Sequence, residues 1–172
     1  MDVVLFTDNS SYYENGTISM PIRTAGPFRI ATELRRNNIS CQLVDYLFSF
    51  NEKEIIDICD SLVSDETLVV AFNATFWWRN LFDKESNAYK VTTTLINHVR
   101  KTYPLCRIVC GGANAGMLTD IFTFDSILLG YSDKQFVDYI LSGSTDSRLV
   151  QMPETDTFDF STSYIRYEED DL

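Results

Sequence analysis

The feature that most constrains this sequence is the alternation of short apolar runs with segments of helical apolar spacing. Runs such as Val3–Thr7 and Thr67–Phe72 are nearly all apolar, which is typical of strands buried on both faces. Between such runs, apolar residues recur on one side of a predicted helix, as at Ile55, Cys59 and Leu62. Strands that alternate with helices predict a parallel sheet covered by helices on both faces, with right-handed crossovers.

The predicted order is βαβαβαβ(α)βα, and the boundaries follow from the apolar pattern. Strands are expected at Val3–Thr7, Cys41–Tyr46, Thr67–Phe72, Arg107–Cys110 and Ser126–Leu129, with Leu149–Val150 as an edge strand or extended cover. Helices are expected from Pro27 onward and over Glu52–Leu62, Ala88–Tyr103, Met117–Phe122, and Ser132 or Asp133 to Leu141. The fold class is α/β, a flavodoxin-like (Rossmann-like), doubly wound, five-stranded parallel sheet of order 2-1-3-4-5. Residues 1–150 form this domain, and residues 151–172 read as an extended acidic tail or linker.

Charge and composition exclude several classes of function. The chain has 172 residues and a net charge of −11, which argues against nonspecific binding to nucleic acid or to an anionic membrane. No apolar run reaches the roughly 20 residues of a membrane span, and no signal peptide is evident. Four cysteines without the density of a disulfide scaffold favour a reduced, cytoplasmic protein.

The residues of several catalytic and cofactor sites are missing. The single histidine, His98, lies far along a predicted helix and excludes any site that needs two histidines. The glycines of a dinucleotide fingerprint do not follow the first strand, and there is no P-loop. Cys106 and Cys110 have the spacing of two iron–sulfur ligands, but the third position is Ala113, so we expect no cluster and two core cysteines. No nucleophile–base pair can be assembled, and no catalytic residue is predicted.

The loops that follow the strands carry the candidate binding residues, because ligands of such sheets bind outside the carboxyl ends of the strands. The Asp8–Gly26 segment is long for a βα loop. Asp8 either binds a ligand or acts as a cap or turn residue, and Gly111–Gly112 either admits a ligand closely or forms a tight turn. The aromatic run Phe76–Trp78 is either a lid on the third helix or a wall for a ligand or protein partner.

Four segments, taken in order, resemble motifs of one family. They are an opening helix similar to P-x-G-x-x-x-L-A-x-x-L-R, a second strand similar to V-x-V-I-D, a turn similar to I-V-x-G-G-P-H-A and a final strand and turn similar to D-x-V-V-x-G-E-G-E-x-x-F. In this chain they correspond to Arg23–Arg35, Cys41–Asp45, Ile108–Ala115 and Asp125–Phe136. The order and spacing resemble the cobalamin (B12)-binding domain that precedes the catalytic barrel of B12-dependent radical SAM proteins.

The resemblance implies a flavodoxin-like domain that holds cobalamin at the carboxyl edge of its sheet, facing a radical SAM barrel. By this resemblance, Gly111, Gly112 and Ala113 lie beside the nucleotide tail, and Thr75 and Phe76 line the same slot. The slot is closed by residues Gly130, Tyr131 and Ser132. Residues of the first loop, beginning with Asp8 and Asn9, approach the corrin.

The sequence also departs from the family pattern. The Asp-x-His-x-x-Gly motif for a lower cobalt ligand is absent, because Asn9 and Ser10 follow Asp8, so cobalamin is expected base-off without a histidine ligand. Ala113–Asn114 replaces the Pro-His of the glycine turn. The chain contains no Cys-x-x-x-Cys-x-x-Cys, so it is not expected to catalyse radical SAM chemistry by itself. It is either the front part of a longer protein or a free-standing relative.

Three functions remain open from the sequence. The leading one is a cobalamin-binding module that serves a radical SAM domain, such as that of a methyl or group transferase. The alternative is a ligand-free flavodoxin-like scaffold that presents Phe76–Trp78 to a protein partner in an assembly. The least favoured is a nucleotide or flavin domain, because both phosphate-binding glycine patterns are missing.

Overall fold

A computed structural model describes residues 1–8, 25–75, 77, 81–130, 132–143, 149–151 (as backbone) and 165–166. The strands are β1 (Val3–Thr7), β2 (Cys41–Val44), β3 (Val69–Asn73), β4 (Arg107–Gly111), β5 (Ser126–Leu129) and β6 (Leu149–Gln151). The α-helices are α1 (Ala25–Arg36), α2 (Glu52–Leu62), α3 (Asn87–Thr102) and α4 (Asp133–Leu141). Short 3-10 turns cover Leu47–Ser49 and Ala115–Asp120. None of the helices in these ranges is long and apolar enough to cross a bilayer.

The strands form one parallel sheet of order β2-β1-β3-β4-β5-β6. The predicted order 2-1-3-4-5 is therefore confirmed, and β6 adds a short strand beside β5. Since β6 includes Gln151, the sheet extends to the first residue of the segment that we predicted as tail. The central strands β1 and β3 are buried along their whole length, as their apolar composition requires.

The predicted boundaries of β1, α2 and β5 agree with the structure, whereas others differ for local reasons. β2 ends at Val44 instead of Tyr46, because Tyr46 has a left-handed backbone (φ 57°) that starts the following 3-10 turn. Helix α1 begins at Ala25, two residues before Pro27. Pro27 still lies in the first turn, where a helix leaves its N–H groups without intrahelical partners.

Helices α2 and α3 cover one face of the sheet, called here the α2/α3 face. Its core contains large aromatic side chains, among them Phe6, Phe72 and Trp77, which pack with apolar residues of both helices. Asn51 and Glu54 form a capping box that starts α2, and the Ser86 hydroxyl caps α3. The cap residues and the apolar stripes together fix where these two helices begin and which sides face the sheet.

Helices α1 and α4 cover the opposite face, called here the α1/α4 face. Phe28 and Leu34 of α1 and Phe136 and Ile140 of α4 form its core with odd-numbered residues of β1, β3 and β4. Ile165 packs against this core from the C-terminal segment. The backbone N–H of the next residue, Arg166, donates to the buried Thr32 hydroxyl at 2.9 Å, so this short segment is fastened to α1.

Candidate functional site

The last residues of the three adjacent strands β1, β3 and β4 end level with one another. Thr7 is paired with Asn73, and Asn73 is paired with Gly111. Strand alternation places all three on the α1/α4 face, since the residues before them, Phe6 and Phe72 among them, belong to the core of the α2/α3 face. The carboxyl edge of the sheet therefore presents a row of small residues toward α1 and α4.

Gly111 is the smallest residue of this row because it has no side chain. A Cβ placed there would lie 3.4 Å from the Leu128 carbonyl oxygen and 3.8 Å from the Ser132 hydroxyl oxygen. Both distances are ordinary contacts, so none of the described residues near Gly111 requires glycine at this position. Ser132 is buried at the N-terminus of α4, and its hydroxyl makes no capping bond to that helix. The structure thus brings Gly111 and Ser132 together, as the sequence predicted for the slot.

Gly112 is glycine for a different reason. Its φ of +103° disfavours any side chain, and a Cβ would lie 2.5 Å from the Thr75 hydroxyl oxygen and 2.7 Å from the Thr75 backbone nitrogen. The loops after β3 and β4 therefore touch directly through Thr75 and Gly112. The sequence predicted these two residues in one slot, and the structure places them in contact.

Asn114 joins the same two loops. Its side-chain amide donates to the carbonyl oxygens of Thr75 at 2.9 Å and Trp77 at 3.2 Å. Asn73 adds a further link, because its side-chain oxygen accepts from the Thr75 N–H at 3.3 Å. These bonds fix the loop after β3 on the glycine turn, and they give Asn114 a structural role at the position where the family motif has histidine.

Asp8 follows β1 directly but does not join the row of small residues. Its carboxylate is buried and accepts from the Phe48 N–H at 2.7 Å, which anchors the 3-10 turn after β2. Alternation places Asp8 on the α2/α3 face together with Phe6. The turn-stabilising role that the sequence left open is thus present, and its approach to a ligand stays a prediction.

Trp77, the middle residue of the predicted aromatic wall, lies in the core. Its ring is 1% exposed and packs against Phe48 and Phe72, at centroid distances of 5.2 Å and 5.7 Å. The indole N–H has no hydrogen-bond partner among the described residues. Trp77 is therefore a core residue, while the lid on α3 and the ligand or partner wall stay predictions, because Phe76 and Trp78 lie outside the described residues.

The other predicted site residues lie beside the glycine turn, after β5 or outside the described residues. Gly130 ends β5 with a φ of 80°, and Ala113 is exposed beside the glycine turn. Asn9 and Tyr131 lie outside the described residues, as does the loop between residues 8 and 25 apart from its ends. Thr7 and Asn73 were not predicted as site residues, although each is the last residue of a strand. Their level register is the signal that a strand prediction could have used.

Burial keeps Cys59 and Cys106 in the thiol form. All four cysteines are free and buried, as expected for Cys106 and Cys110. Burial raises the pKa of the Cys106 thiol to about 11 and that of Cys59 to about 12. Because the thiolate is the reactive form, these side chains are inert near neutral pH. The described residues hold no nucleophile with a neighbouring base at the carboxyl edge.

An ion pair fastens the two helices that frame the α1/α4 face. The Arg29 guanidinium of α1 donates to the Asp133 carboxylate in the first turn of α4, and both side chains are nearly buried (11% and 13% exposed). Burial raises the pKa of Asp133, while the charge and hydrogen bond of Arg29 oppose that shift. The pair holds the N-terminus of α4, and with it Ser132, against α1.

Comparison with known proteins supports the fold and leaves the family open. No model of a protein family matches the chain, and no curated protein matches its sequence. The structure is similar to that of the radical S-adenosylmethionine methyltransferase TsrM from Kitasatospora setae, solved with tryptophan substrate and the SAM analogue aza-SAM bound, at a TM-score of 0.55 and 16% identity. This match confirms, at the level of the fold, the resemblance to radical SAM proteins that the motifs indicated.

The match also has a defined extent. It covers 83% of this chain but only 26% of TsrM, so the chain spans about a quarter of that enzyme. The shared part is the parallel α/β sheet with its flanking helices. The likeness concerns architecture, and what TsrM binds is a property of TsrM.

Proposed function

We propose that this chain is a cobalamin-binding module, whose site is the carboxyl edge of the sheet on the α1/α4 face. It would hold the cofactor for a radical SAM partner domain that this chain does not contain. Bound cobalamin supplies a cobalt ion that can carry a transferable group. The chain's own residues would bind and orient the cofactor, and the group-transfer chemistry would belong to the partner domain.

The observation that supports this proposal is the glycine at position 111, the last residue of β4. Glycine is not required there by backbone conformation or by neighbouring atoms, in contrast to Gly112. Thr7 and Asn73 continue the row of small side chains across β1 and β3. We assign to this row, beside helices α1 and α4, the binding of an elongated group such as a nucleotide tail.

Thr7 adds a polar group to that row. It is fully buried, and its hydroxyl has no hydrogen-bond partner among the described residues. A buried hydroxyl without a partner destabilises the folded state by about 1–3 kcal/mol. A polar ligand that forms a hydrogen bond with it would recover that free energy. The hydroxyl can donate or accept, which suits the amide and phosphate groups of cobalamin.

The chain offers cobalt no histidine ligand at this site. His98 is in α3, ten residues beyond Ala88, and at about 1.5 Å per residue it lies about 15 Å along the helix from the carboxyl edge. We therefore expect base-off cobalamin without a protein imidazole. Free imidazole should change the visible spectrum of the bound cofactor, and His98→Gln should leave that spectrum as it is.

The test is retention of hydroxocobalamin by the purified 172-residue chain. After removal of free ligand, the chain should keep corrin absorbance in proportion to its concentration. A correctly folded chain that keeps no corrin absorbance would refute the proposal. Light scattering over a range of protein concentrations would then show whether the chain instead assembles with itself.

A matched pair of variants locates the site. Gly111→Leu places a branched side chain in the slot and should weaken cobalamin binding by roughly 10–100-fold, the equivalent of the usual cost of overpacking. Thr102→Leu adds the same side chain on an exposed position at the far end of α3 and should leave the affinity unchanged. Equal affinities for both variants would show that the slot is elsewhere.

A further inference from the structure

A second cluster of chemically active side chains lies away from the carboxyl edge, between α2 and α3. It consists of Cys59 and Asp60 on α2 and His98 on α3. A sulfur, a carboxylate oxygen and an imidazole nitrogen, one from each residue, all lie within 4.8 Å of one another. These are three different donor types, and two packed helices bring them together.

Hydrogen bonds already orient two of the three donors. His98 Nε2 lies 2.6 Å from Asp60 Oδ1, and the Tyr103 hydroxyl donates to the same oxygen at 2.9 Å. The ring of Tyr103 packs edge-on against the His98 ring, at a centroid distance of 6.2 Å. Tyr103 therefore holds both the carboxylate and the imidazole in place without being a donor to an ion itself.

Burial is graded across the cluster. Cys59 is fully buried, the His98 side chain is 18% exposed and the Asp60 side chain is 47% exposed. An ion could enter from the solvent side, past the carboxylate, and meet the thiol at the inner end.

We propose that Cys59, Asp60 and His98 bind a Zn²⁺ ion, with water as the fourth ligand. Thiolate, imidazole and carboxylate are the donors that zinc takes in proteins, and three protein ligands plus water give its usual tetrahedral coordination. As the Zn–S bond forms, the Cys59 proton leaves to solvent. The ion takes the place of the His98–Asp60 hydrogen bond, and it ties α2 to α3.

This site is independent of the cobalamin proposal. It lies on the α2/α3 side of the sheet, whereas Gly111 and Thr7 face α1 and α4. Loss of zinc binding should leave cobalamin retention unchanged, and loss of cobalamin binding should leave the metal affinity unchanged. The two proposals can therefore fail separately.

The experiment uses the metal-free chain without cobalamin and inorganic Co²⁺ as a spectroscopic probe for zinc. A thiolate–cobalt charge-transfer band in the near ultraviolet and intense visible bands of tetrahedral cobalt are expected, and Zn²⁺ should displace both. Their absence at saturating Co²⁺, with the fold intact by circular dichroism, would overturn the proposal. Equal Zn²⁺ affinities of the wild-type chain and Cys59→Ala in a competition assay would also overturn the proposal.

Variants separate the ligands from the structural background. Cys59→Ala should abolish the charge-transfer band, whereas Cys41→Ala, which removes a buried thiol on the opposite face, should keep it. Tyr103→Phe leaves the three donors intact but removes the bond that orients Asp60, and it should weaken zinc binding about 10–100-fold. If Cys59→Ala fails to fold, Tyr103→Phe and His98→Gln still decide the question. Unchanged zinc affinity in both would overturn the proposal.

Discussion

The two faces of the sheet end differently at the same edge. On the α2/α3 face, the penultimate strand residues Phe6 and Phe72 stack at a centroid distance of 5.9 Å, and the Trp77 ring packs edge-on against Phe72. One residue later, on the α1/α4 face, the strands end in Thr7, Asn73 and Gly111. The same strands thus carry large aromatic side chains toward one layer and small side chains toward the other.

This difference separates closely packed aromatic residues from small residues within one edge. Closely packed aromatic rings resist deformation, because interiors are packed to the density of crystals. They hold the strand ends and the loop after β3 in fixed positions. The small residues of the opposite face are the ones that our proposal assigns to the ligand, so binding there would leave the aromatic core in place.

The largest expected effect tests the aromatic packing on the α2/α3 face. Trp77→Ala should lower the free energy of unfolding by about 3–5 kcal/mol, because it removes a large buried ring and leaves a cavity. Trp77→Phe should cost less than about 1.5 kcal/mol, since it keeps most of the volume and removes an indole N–H that has no partner among the described residues. Urea denaturation measures both. The average destabilisation by a single mutation is about 1 kcal/mol. A loss no larger than that for Trp77→Ala would contradict the packing of Trp77 in the core.

The next effect tests the ion pair between α1 and α4. Arg29→Met should cost about 3 kcal/mol near neutral pH, because it leaves the nearly buried Asp133 carboxylate without its cation. The double variant Arg29→Met/Asp133→Leu should recover most of that loss. An equal loss in both variants would show that the charge pair is not the cause.

The same pair gives a pH dependence of known sign. Burial raises the pKa of Asp133 in the folded state above its unfolded value. Without Arg29 the penalty for the charged carboxylate is present at neutral pH and disappears as pH falls through the folded-state pKa. The difference in unfolding free energy between wild type and Arg29→Met should therefore shrink on acidification, and a difference that grows would contradict this account.

The glycine turn provides a smaller effect. Gly112→Ala should cost about 2–3 kcal/mol, from a strained positive φ and a collision with Thr75. Gly111→Ala is the control and should change stability by less than about 1 kcal/mol. Thr75→Ala should not rescue Gly112→Ala, because the Thr75 backbone nitrogen also lies within 2.7 Å of the added carbon. Similar losses of stability in Gly111→Ala and Gly112→Ala would contradict the different roles assigned to the two glycines.

The smallest effect has the opposite sign. Thr7→Val keeps the shape of the side chain and removes the buried hydroxyl, so it should raise the free energy of unfolding by about 1 kcal/mol. The same change should weaken cobalamin retention, if the hydroxyl bonds to the cofactor. A variant that is both less stable and unchanged in binding would show that Thr7 has a partner in the free protein.

The fold was largely predictable because each strand is marked by its own apolar run. The alignment of Thr7, Asn73 and Gly111 at the ends of their strands was not predictable, since register depends on pairing between distant segments. The sequence also could not show which glycine is required by the protein, because the atom that excludes a side chain at Gly112 belongs to Thr75. Likewise, no spacing brings Cys59 to His98, which meet only because α2 packs on α3.

The pairing of β1 has a consequence for how the chain folds during synthesis. β1 lies between β2 and β3, and Val3 is paired with Val69. Until the ribosome has released residues 69–73, one edge of this very apolar strand has no partner. Exposed edges of that kind invite pairing with other chains, and pairing across long sequence separations is slow. The nascent chain is thus most prone to aggregation before β3 emerges, and this exposure ends when β3 pairs with β1.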